Sequence, residues 1–189
     1  MLKSLIRQNR SYRRFHQQIP ISYEQLYEWV DLARLSASSA NRQPLKFVLS
    51  ADPERNSRIF PCLRWAGYLS DWGGPTEGER PVAYIVILGD KRISANTGVD
   101  PGIAAQSILL GAVEAGFGGC ILGAIDRDTL RSELSLPEHF DILLVLALGR
   151  PSEQVVIDPV GEDGDIRYWR DVNGVHHVPK RDLDTLIIV

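Results

Sequence analysis

Apolar positions in the first third of the chain recur at helical spacing before any strand pattern begins. A first helix is predicted over 2–8. Ser22 and Gln25 lie three positions apart in a capping-box pattern, which predicts that a second helix starts there. One face of this second helix is apolar and is formed by Leu26, Trp29, Val30 and Ala33. We expect that face to pack on the core.

The next part of the chain alternates apolar strands with short helices. Strands are predicted over 45–51, 82–88, 118–125 and 142–148. The run 82–88 is continuously apolar, which is typical of a strand buried on both faces. Helices are predicted after Asp52-Pro53, an N-cap followed by proline, and from Asp126 to Leu134. Residues 61–81 are predicted to be irregular, and 152–189 lack strong periodicity until 183–189.

The helix predicted over 101–116 has apolar residues all around its axis. Such a helix is expected to be buried on all sides. A chain of 189 residues has little room to cover it, so the pattern favours a second subunit and hence a dimer.

The order of the elements indicates the fold class. Helices alternate with apolar strands, but the first helices precede every strand. This order favours an α+β fold, a mixed sheet flanked by helices, over a regular doubly wound sheet. The length fits one domain spanning 1–189.

Composition and charge narrow the function classes. The net charge is −3, which argues against nucleic-acid binding. No apolar stretch is long enough to span a bilayer, and the N-terminus lacks the apolar core of a signal peptide. Two cysteines do not form a disulfide framework. We therefore expect a cytoplasmic protein without a membrane or nucleic-acid partner.

A basic cluster at Arg10-Ser11-Tyr12-Arg13-Arg14-Phe15 stands out in this acidic chain. Arginine forks and a serine hydroxyl suit a phosphate. By composition alone, the cluster could equally be a solvated patch or a membrane-surface helix.

Two further segments have loop or glycine chemistry. The small and polar residues of 37–44 would let a flat ligand approach the backbone, although such a run is also an ordinary loop. The glycines of 116–123 fit neither a dinucleotide fingerprint nor a P-loop. His176 and His177 would point to opposite faces of a strand and could not easily share a metal, so no metal site is expected. Cys120 is expected to be a small core residue.

Taken in order, these segments resemble the nitroreductase family of FMN-dependent oxidoreductases. Arg10–Phe15 resembles the family's Arg-Ser-x-Arg-x-Phe signature, and 38–44 resembles its Ser-Ser-x-Asn-x-Gln-Pro segment. The segments 100–106, 116–120 and 149–151 resemble the start of its long helix, its glycine-rich strand and its Gly-x-Pro strand exit. Each motif alone is weak, and the ordered set of five is specific.

The resemblance implies a mixed, mainly antiparallel central sheet with helices on both sides, in a homodimer whose C-terminal tails are exchanged. It implies FMN at the dimer interface and NADH or NADPH as electron donor. The reaction implied is ping-pong reduction of nitroaromatic, quinone or similar electron-poor small molecules, with no catalytic acid or base named.

The resemblance also implies roles for individual residues. Arg10, Ser11 and Arg13 would hold the phosphate, ribityl chain and pyrimidine edge of FMN, where a cation would stabilise the reduced flavin. A loop from the other subunit would reach the flavin through Ala37, Ser38, Ser39 and Asn41. Beside the ring, Leu122 and Gly123 would bring a backbone N–H to N5. Lys180 and Arg181, and also Arg150, are candidates for the phosphate.

Several departures from the family pattern keep alternatives open. Asn9 stands where many members have another Arg, and Leu45 stands where a Trp is common. The segment 61–81 is short, and its three large aromatic residues could form a stacking lid or could only pack. A specialised flavin enzyme of the same fold, such as a dehalogenase, a dehydrogenase or a flavin-consuming enzyme, is therefore an alternative. A non-enzymatic flavin-binding protein is a further one.

Overall fold

A computed structural model describes residues 1–188 of the chain. Its helices are α1 (Leu2–Gln8), α2 (Tyr23–Leu35), α3 (Pro53–Ile59), α4 (Asp100–Glu114) and α5 (Arg127–Glu133). Its strands are β1 (Leu45–Ser50), β2 (Ala83–Asp90), β3 (Gly118–Leu122), β4 (Phe140–Gly149), β5 (Val155–Pro159), β6 (Trp169–Arg170) and β7 (His176–Lys180). Short 3-10 turns cover Ser39–Asn41, Phe60–Cys62 and Leu183–Thr185.

The central sheet has the strand order β1-β2-β4-β3, and each neighbouring pair is antiparallel. All eight residues of β2 are buried, as the continuous apolar run predicts. Because side chains alternate along a strand, β2 contributes side chains to two hydrophobic cores, one on each face of the sheet. Ala83, Ile85 and Ile87 face one core, and Tyr84, Val86 and Leu88 face the other.

Helices cover both faces of this sheet. Residues of α2 and α4 pack in one core, and residues of α3 and α5 pack in the other. The local signals act as predicted: the Ser22 hydroxyl accepts from the Gln25 N–H, and the Gln25 side chain accepts from the Ser22 N–H. Asp52 likewise caps α3, with proline as the next residue. The predicted α+β class, with a mainly antiparallel sheet between helices, is confirmed.

The long helix α4 is largely buried by its own chain. It packs on α2 and on β3, and Ala105, Ile108 and Ala112 have no exposed surface. Ile103 and Leu110 are half-buried, whereas Gln106 is exposed. The burial of α4 alone therefore does not require a second subunit.

The tail forms a small second sheet that the sequence pattern does not predict. Its order is β5-β7-β6, with β5 parallel and β6 antiparallel to β7. Beyond it, Leu183, Leu186, Ile187 and Ile188 are exposed. The last position of the predicted apolar end, Val189, lies outside the described residues. Within 1–188, no helix is both long and apolar enough to cross a bilayer.

Candidate functional site

The basic segment is held against the outer edge of β3. The Tyr12 N–H donates to the Gly119 carbonyl at 3.0 Å, and Ser11 forms a parallel bridge with Gly119. A Cβ at Gly118 would lie 2.7 Å from the Tyr12 ring, so only glycine permits this close approach. Phe15 is fully buried and packs equally closely on Gly149. The two glycine-containing strand ends thus fix the segment.

A buried carboxylate, Glu153, holds the backbone of the basic segment in place. Its Oε1 accepts from the backbone N–H groups of Arg13 and Arg14. Its Oε2 pairs with the Arg170 guanidinium at 2.9 Å, and the Glu153 side chain is 1% exposed. The Arg14 side chain forms a two-bond ion pair with Glu79. The side chains of Arg13 and Arg14 therefore have separate partners, and only Arg13 lines the pocket described next.

The structure brings Arg10, Ser11 and Arg13 together with Lys180, although Lys180 is far away in sequence. They line one pocket of about 210 Å³, which we call the basic pocket. Its complete lining is Asn9, Arg10, Ser11, Arg13, Tyr168, His176, Val178 and Lys180. The Nε atoms of Arg10 and Arg13 are buried and have no hydrogen-bond partner among residues 1–188. The pocket therefore combines positive charge with free donors, which suits an anion.

Arg13 is oriented by two residues of the tail, His176 in β7 and Tyr168 just before β6. Its Nη1 lies 3.2 Å from the His176 Nε2, and its guanidinium lies 4.8 Å from the centre of the Tyr168 ring. Burial, and then the charges of Arg13 and Arg170, lower the pKa of His176 to about 4. His176 is therefore neutral at pH 7, and its Nε2 accepts the Arg13 bond.

The loop predicted to contact flavin has a different organisation. Ser38 donates its hydroxyl to the Asp100 Oδ2 at 2.6 Å, and the Ser39 N–H donates to Oδ1 at 2.9 Å. The Ser38 hydroxyl also accepts from the Gln43 N–H at 2.9 Å. Burial alone would raise the pKa of Asp100, but the bonds from Ser38 and Ser39 outweigh it and hold the pKa below its usual value.

This segment, 37–43, is called the serine loop, and its backbone is strained. Ala40, Asn41 and Gln43 have φ angles of 51°, 52° and 51°, in the left-handed region that non-glycine residues rarely adopt. Such strain persists only where surrounding contacts fix the conformation. The bonds to Asp100 supply those contacts at the start of α4.

Within one chain, the serine loop and the basic pocket do not meet. Ala37 and Ser38 line a separate pocket of about 210 Å³ with Asp100, while Ser39 and Asn41 line neither pocket. The predicted union of loop and pocket across two subunits stays a prediction.

The remaining predicted residues do not line the basic pocket. Leu122 is buried at the end of β3, and Gly123 follows it in an exposed position. The Gly119 carbonyl bonds Tyr12 on the outer edge of β3, so strand alternation directs the N–H groups of Ile121 and Gly123 to the same edge. Arg150 and Arg181 are exposed and do not line the pocket.

Sequence reasoning missed four lining residues: Asn9, Tyr168, His176 and Val178. Strand alternation from Lys180 could have found two of them, because His176, Val178 and Lys180 share one face of β7. Tyr168 has no such signal. It meets Tyr68, with ring centres 4.9 Å apart, and thereby connects the irregular 61–81 segment to the pocket.

The other aromatic residues of 61–81 pack against the protein. Trp65 is 9% exposed, and Trp72 lies under the Arg170 guanidinium at 4.2 Å. His177 faces away from His176 and bonds Asp158 at 2.7 Å. In residues 1–188 no group of three or more metal-ligating side chains is found. Cys120 is buried, and burial raises the pKa of its thiol, as expected of a core residue.

A sequence model of the nitroreductase family matches residues 6–66 and 77–150. The chain belongs to the nitroreductase family. The matched ranges include the basic segment, the serine loop and β3. They exclude the tail, so the family match does not cover the pocket residues Tyr168, His176 and Lys180.

Solved structures of other proteins share the fold. An FMN-dependent nitroreductase from Clostridium difficile is 23% identical, with a TM-score of 0.67, over 82% of this chain and 89% of that one. An NADPH:FMN oxidoreductase from Vibrio harveyi, complexed with NAD+, is 23% identical, with a TM-score of 0.67, over 85% and 74%. A nitroreductase family protein from Streptococcus pneumoniae is 15% identical, with a TM-score of 0.67, over 82% and 92%.

Proposed function

We propose that this nitroreductase-family protein is an FMN-dependent oxidoreductase that uses NADH or NADPH to reduce small electron-poor acceptors such as quinones or nitroaromatics. The observation that carries the proposal is the basic pocket. Arg10, Arg13, Ser11 and Lys180 converge there, and two of the guanidinium N–H groups have no partner within the described chain. Buried donors of this kind match the phosphate of FMN.

The size of the pocket indicates which part of FMN it would take. A volume of about 210 Å³ lies below the usual range for a whole cofactor, so the pocket suits the phosphate end. Ser11 and Lys180 would then bond the phosphate, while Arg13 extends from it along the edge of β3. When bound, FMN supplies the redox chemistry, taking two electrons from the nicotinamide and passing them to the acceptor.

The chain's own residues would orient the flavin and tune its charge. The neutral His176 holds the Arg13 guanidinium from one side, and Tyr168 lies against its face. A fixed cation at this place favours a negatively charged ligand without rearrangement on binding. The edge of β3, with the N–H groups of Ile121 and Gly123, would face the ring. No acid or base of the chain is assigned to the reaction.

We also propose that the protein acts as a homodimer in which the serine loop of one subunit covers the basic pocket of the other. Exposed apolar side chains on several elements support a covered surface, namely Leu2, Ile6, Tyr27, Leu35, Val99, Leu186 and Ile187. Exchange of the tails beyond residue 181 belongs to the same proposal. Cys62 and Cys120 are buried free thiols, in agreement with a reducing, cytoplasmic location.

The proposal is tested by titrating the purified protein with FMN and following flavin absorbance and fluorescence. We expect saturation at one FMN per chain and NADH or NADPH oxidation with a quinone. Arg13→Gln should weaken FMN binding by about 100-fold, because charge-assisted bonds contribute roughly 1.5 to 3 kcal/mol.

Arg14→Gln is the matched control. Arg14 pairs with Glu79 and does not line the pocket, so this variant should bind FMN as the wild type does. Failure of the wild-type protein to bind FMN would exclude the flavin proposal. A monomer at saturating FMN in sedimentation equilibrium would exclude the dimer.

A further inference from the structure

A second cavity of the described chain lies away from the basic pocket. It measures about 440 Å³ and is bounded by residues 17–21, the first turns of α3 and segment 77–84. It shares no lining residue with the basic pocket. Its walls are mostly apolar and include Pro20, Ile21, Pro53, Phe60 and Pro81. Its volume is in the range of small-molecule sites.

Tyr84 contributes an unsatisfied hydroxyl to this cavity. The side chain has no exposed surface, and its Oη has no hydrogen-bond partner within residues 1–188. Burial raises the pKa of Tyr84 well above its usual value, an effect that the charge of Arg80 only partly opposes. The hydroxyl is therefore a protonated donor at any physiological pH. A buried tyrosine hydroxyl usually has a hydrogen-bond partner, so we expect a bound molecule to supply one here.

Arg80 contributes a positive charge and a second free donor. Its Nη1 pairs with Glu77 Oε2 at 3.0 Å, and its guanidinium lies 4.5 Å from the centre of the Phe60 ring. Its Nε is buried and has no partner in the described part of the chain. The Glu77 side chain is 74% exposed and so neutralises the charge only weakly.

Two of the other polar lining residues, Asn56 and Gln17, already have partners within the chain. The Asn56 side chain donates to the Val82 carbonyl at 2.7 Å and accepts from the Ser50 hydroxyl at 2.7 Å. Gln17 accepts from the N–H groups of Gly78 and Arg80 and donates to Glu77. The cavity therefore offers two free donors and one cation inside apolar walls.

We propose that this cavity is a second ligand site, which binds a small aromatic carboxylic acid. The carboxylate would accept from Tyr84 Oη and Arg80 Nε, and the ring would pack among Phe60 and the prolines. Acceptor oxygens and a negative charge are what the two free donors require. A ring matches the apolar walls. The site is independent of FMN binding and of the oxidoreductase reaction.

The test is calorimetric titration of FMN-saturated protein with 2-naphthoate. We expect one saturable site per chain, and at least tenfold weaker binding of the neutral 2-naphthylmethanol. Tyr84→Phe removes only the hydroxyl and should weaken naphthoate binding at least tenfold. Because that hydroxyl has no partner, the ligand-free variant should be at least as resistant to urea as the wild type.

Arg80→Gln provides a second variant, which should also weaken naphthoate binding at least tenfold while FMN affinity stays unchanged. Equal affinity of the wild type and both variants for naphthoate would overturn the proposal. The absence of saturable heat would overturn it as well, because ordered water would then be the occupant of the cavity. Loss of naphthoate binding in Arg13→Gln alone would overturn it too, because the acid would then occupy the basic pocket.

Discussion

The basic pocket and the serine loop are both organised by a buried carboxylate, but in opposite ways. Glu153 accepts from the backbone of Arg13 and Arg14 and pairs with a cation, Arg170. Among residues 1–188, the donors to the Asp100 carboxylate are both neutral, namely the Ser38 hydroxyl and the Ser39 N–H. The first carboxylate binds the Arg13 backbone and leaves the Arg13 guanidinium, which has no carboxylate partner among the described residues, available for an anionic ligand. The second uses the donors of the loop itself.

This difference separates two tasks within one candidate site. In the basic pocket, the buried Nε atoms of Arg10 and Arg13 have no partner among the described residues, so binding energy for an anion is available there. In the serine loop, the Ser38 and Ser39 donors are satisfied and the backbone is strained. The basic pocket should therefore determine the affinity for FMN, whereas the serine loop should determine the shape of the site.

The largest effect is expected when the carboxylate of the basic pocket is removed. Glu153→Ala leaves the Arg170 guanidinium and two backbone N–H groups without their acceptor. Breaking a buried ion pair from one side costs roughly 3 to 5 kcal/mol. We expect a loss of that size in the free energy of unfolding, measured by urea titration, and a loss of FMN binding at 25 °C.

The matched control is Glu162→Ala. Glu162 is exposed, and surface substitutions usually change stability by no more than about 0.5 kcal/mol. If Glu153→Ala were as stable as this control, Glu153 would not be the residue that organises the basic pocket.

The second-largest effect is a pH dependence of the free energy of unfolding, which arises from His176 in the basic pocket. His176 in the basic pocket has a folded pKa of about 4, below its usual value near 6.5, because of burial and then the charges of Arg13 and Arg170. Between these two values the unfolded chain binds the proton and the folded chain does not. Stability should therefore fall as the pH drops from 6.5 to 4, by roughly 1 to 3 kcal/mol.

The comparison uses urea unfolding of the wild type and of His176→Gln across this pH range. The variant has no imidazole, so its stability should fall less steeply, and His176→Phe should behave in the same way. An unchanged slope in both variants would mean that His176 does not carry the pH dependence.

Much of the fold follows from local sequence signals. The Ser22–Gln25 box, the Asp52-Pro53 start and the continuous run of β2 each act within a few residues, and the structure confirms all three. The convergence of Arg10, Ser11 and Arg13 is also local, because they are neighbours in sequence.

The tail could not be predicted in this way. β6 has two residues, and β5 pairs in parallel with β7 across some twenty residues, so the pairing is set by distant contacts. Tyr168 and His176 reach the basic pocket only because this sheet packs on the N-terminal segment. Their role depends on Glu153 and Arg170, which no periodicity connects.

The smallest effect is expected at the serine loop, with Asp100→Asn. The amide retains one acceptor, so one bond from Ser38 or Ser39 is lost and the other can remain, at a cost of about 1 kcal/mol. No cation is left unpaired, in contrast to Glu153→Ala. The folded pKa of Asp100 is lowered, so its contribution is present at pH 7 and is lost as the pH falls below the usual aspartate range.

Urea unfolding at pH 7 should therefore show a small loss for Asp100→Asn, and this difference from the wild type should shrink at pH 3. Amide exchange at Ser39 should become faster, because the amide oxygen of asparagine is a weaker acceptor for its N–H than a carboxylate oxygen, while FMN affinity should fall less than in Arg13→Gln. The exposed Glu162→Gln serves as control and should change none of these three quantities. An affinity loss in Asp100→Asn as large as in Arg13→Gln would contradict the division of tasks, because shape and affinity would then depend on the same residue.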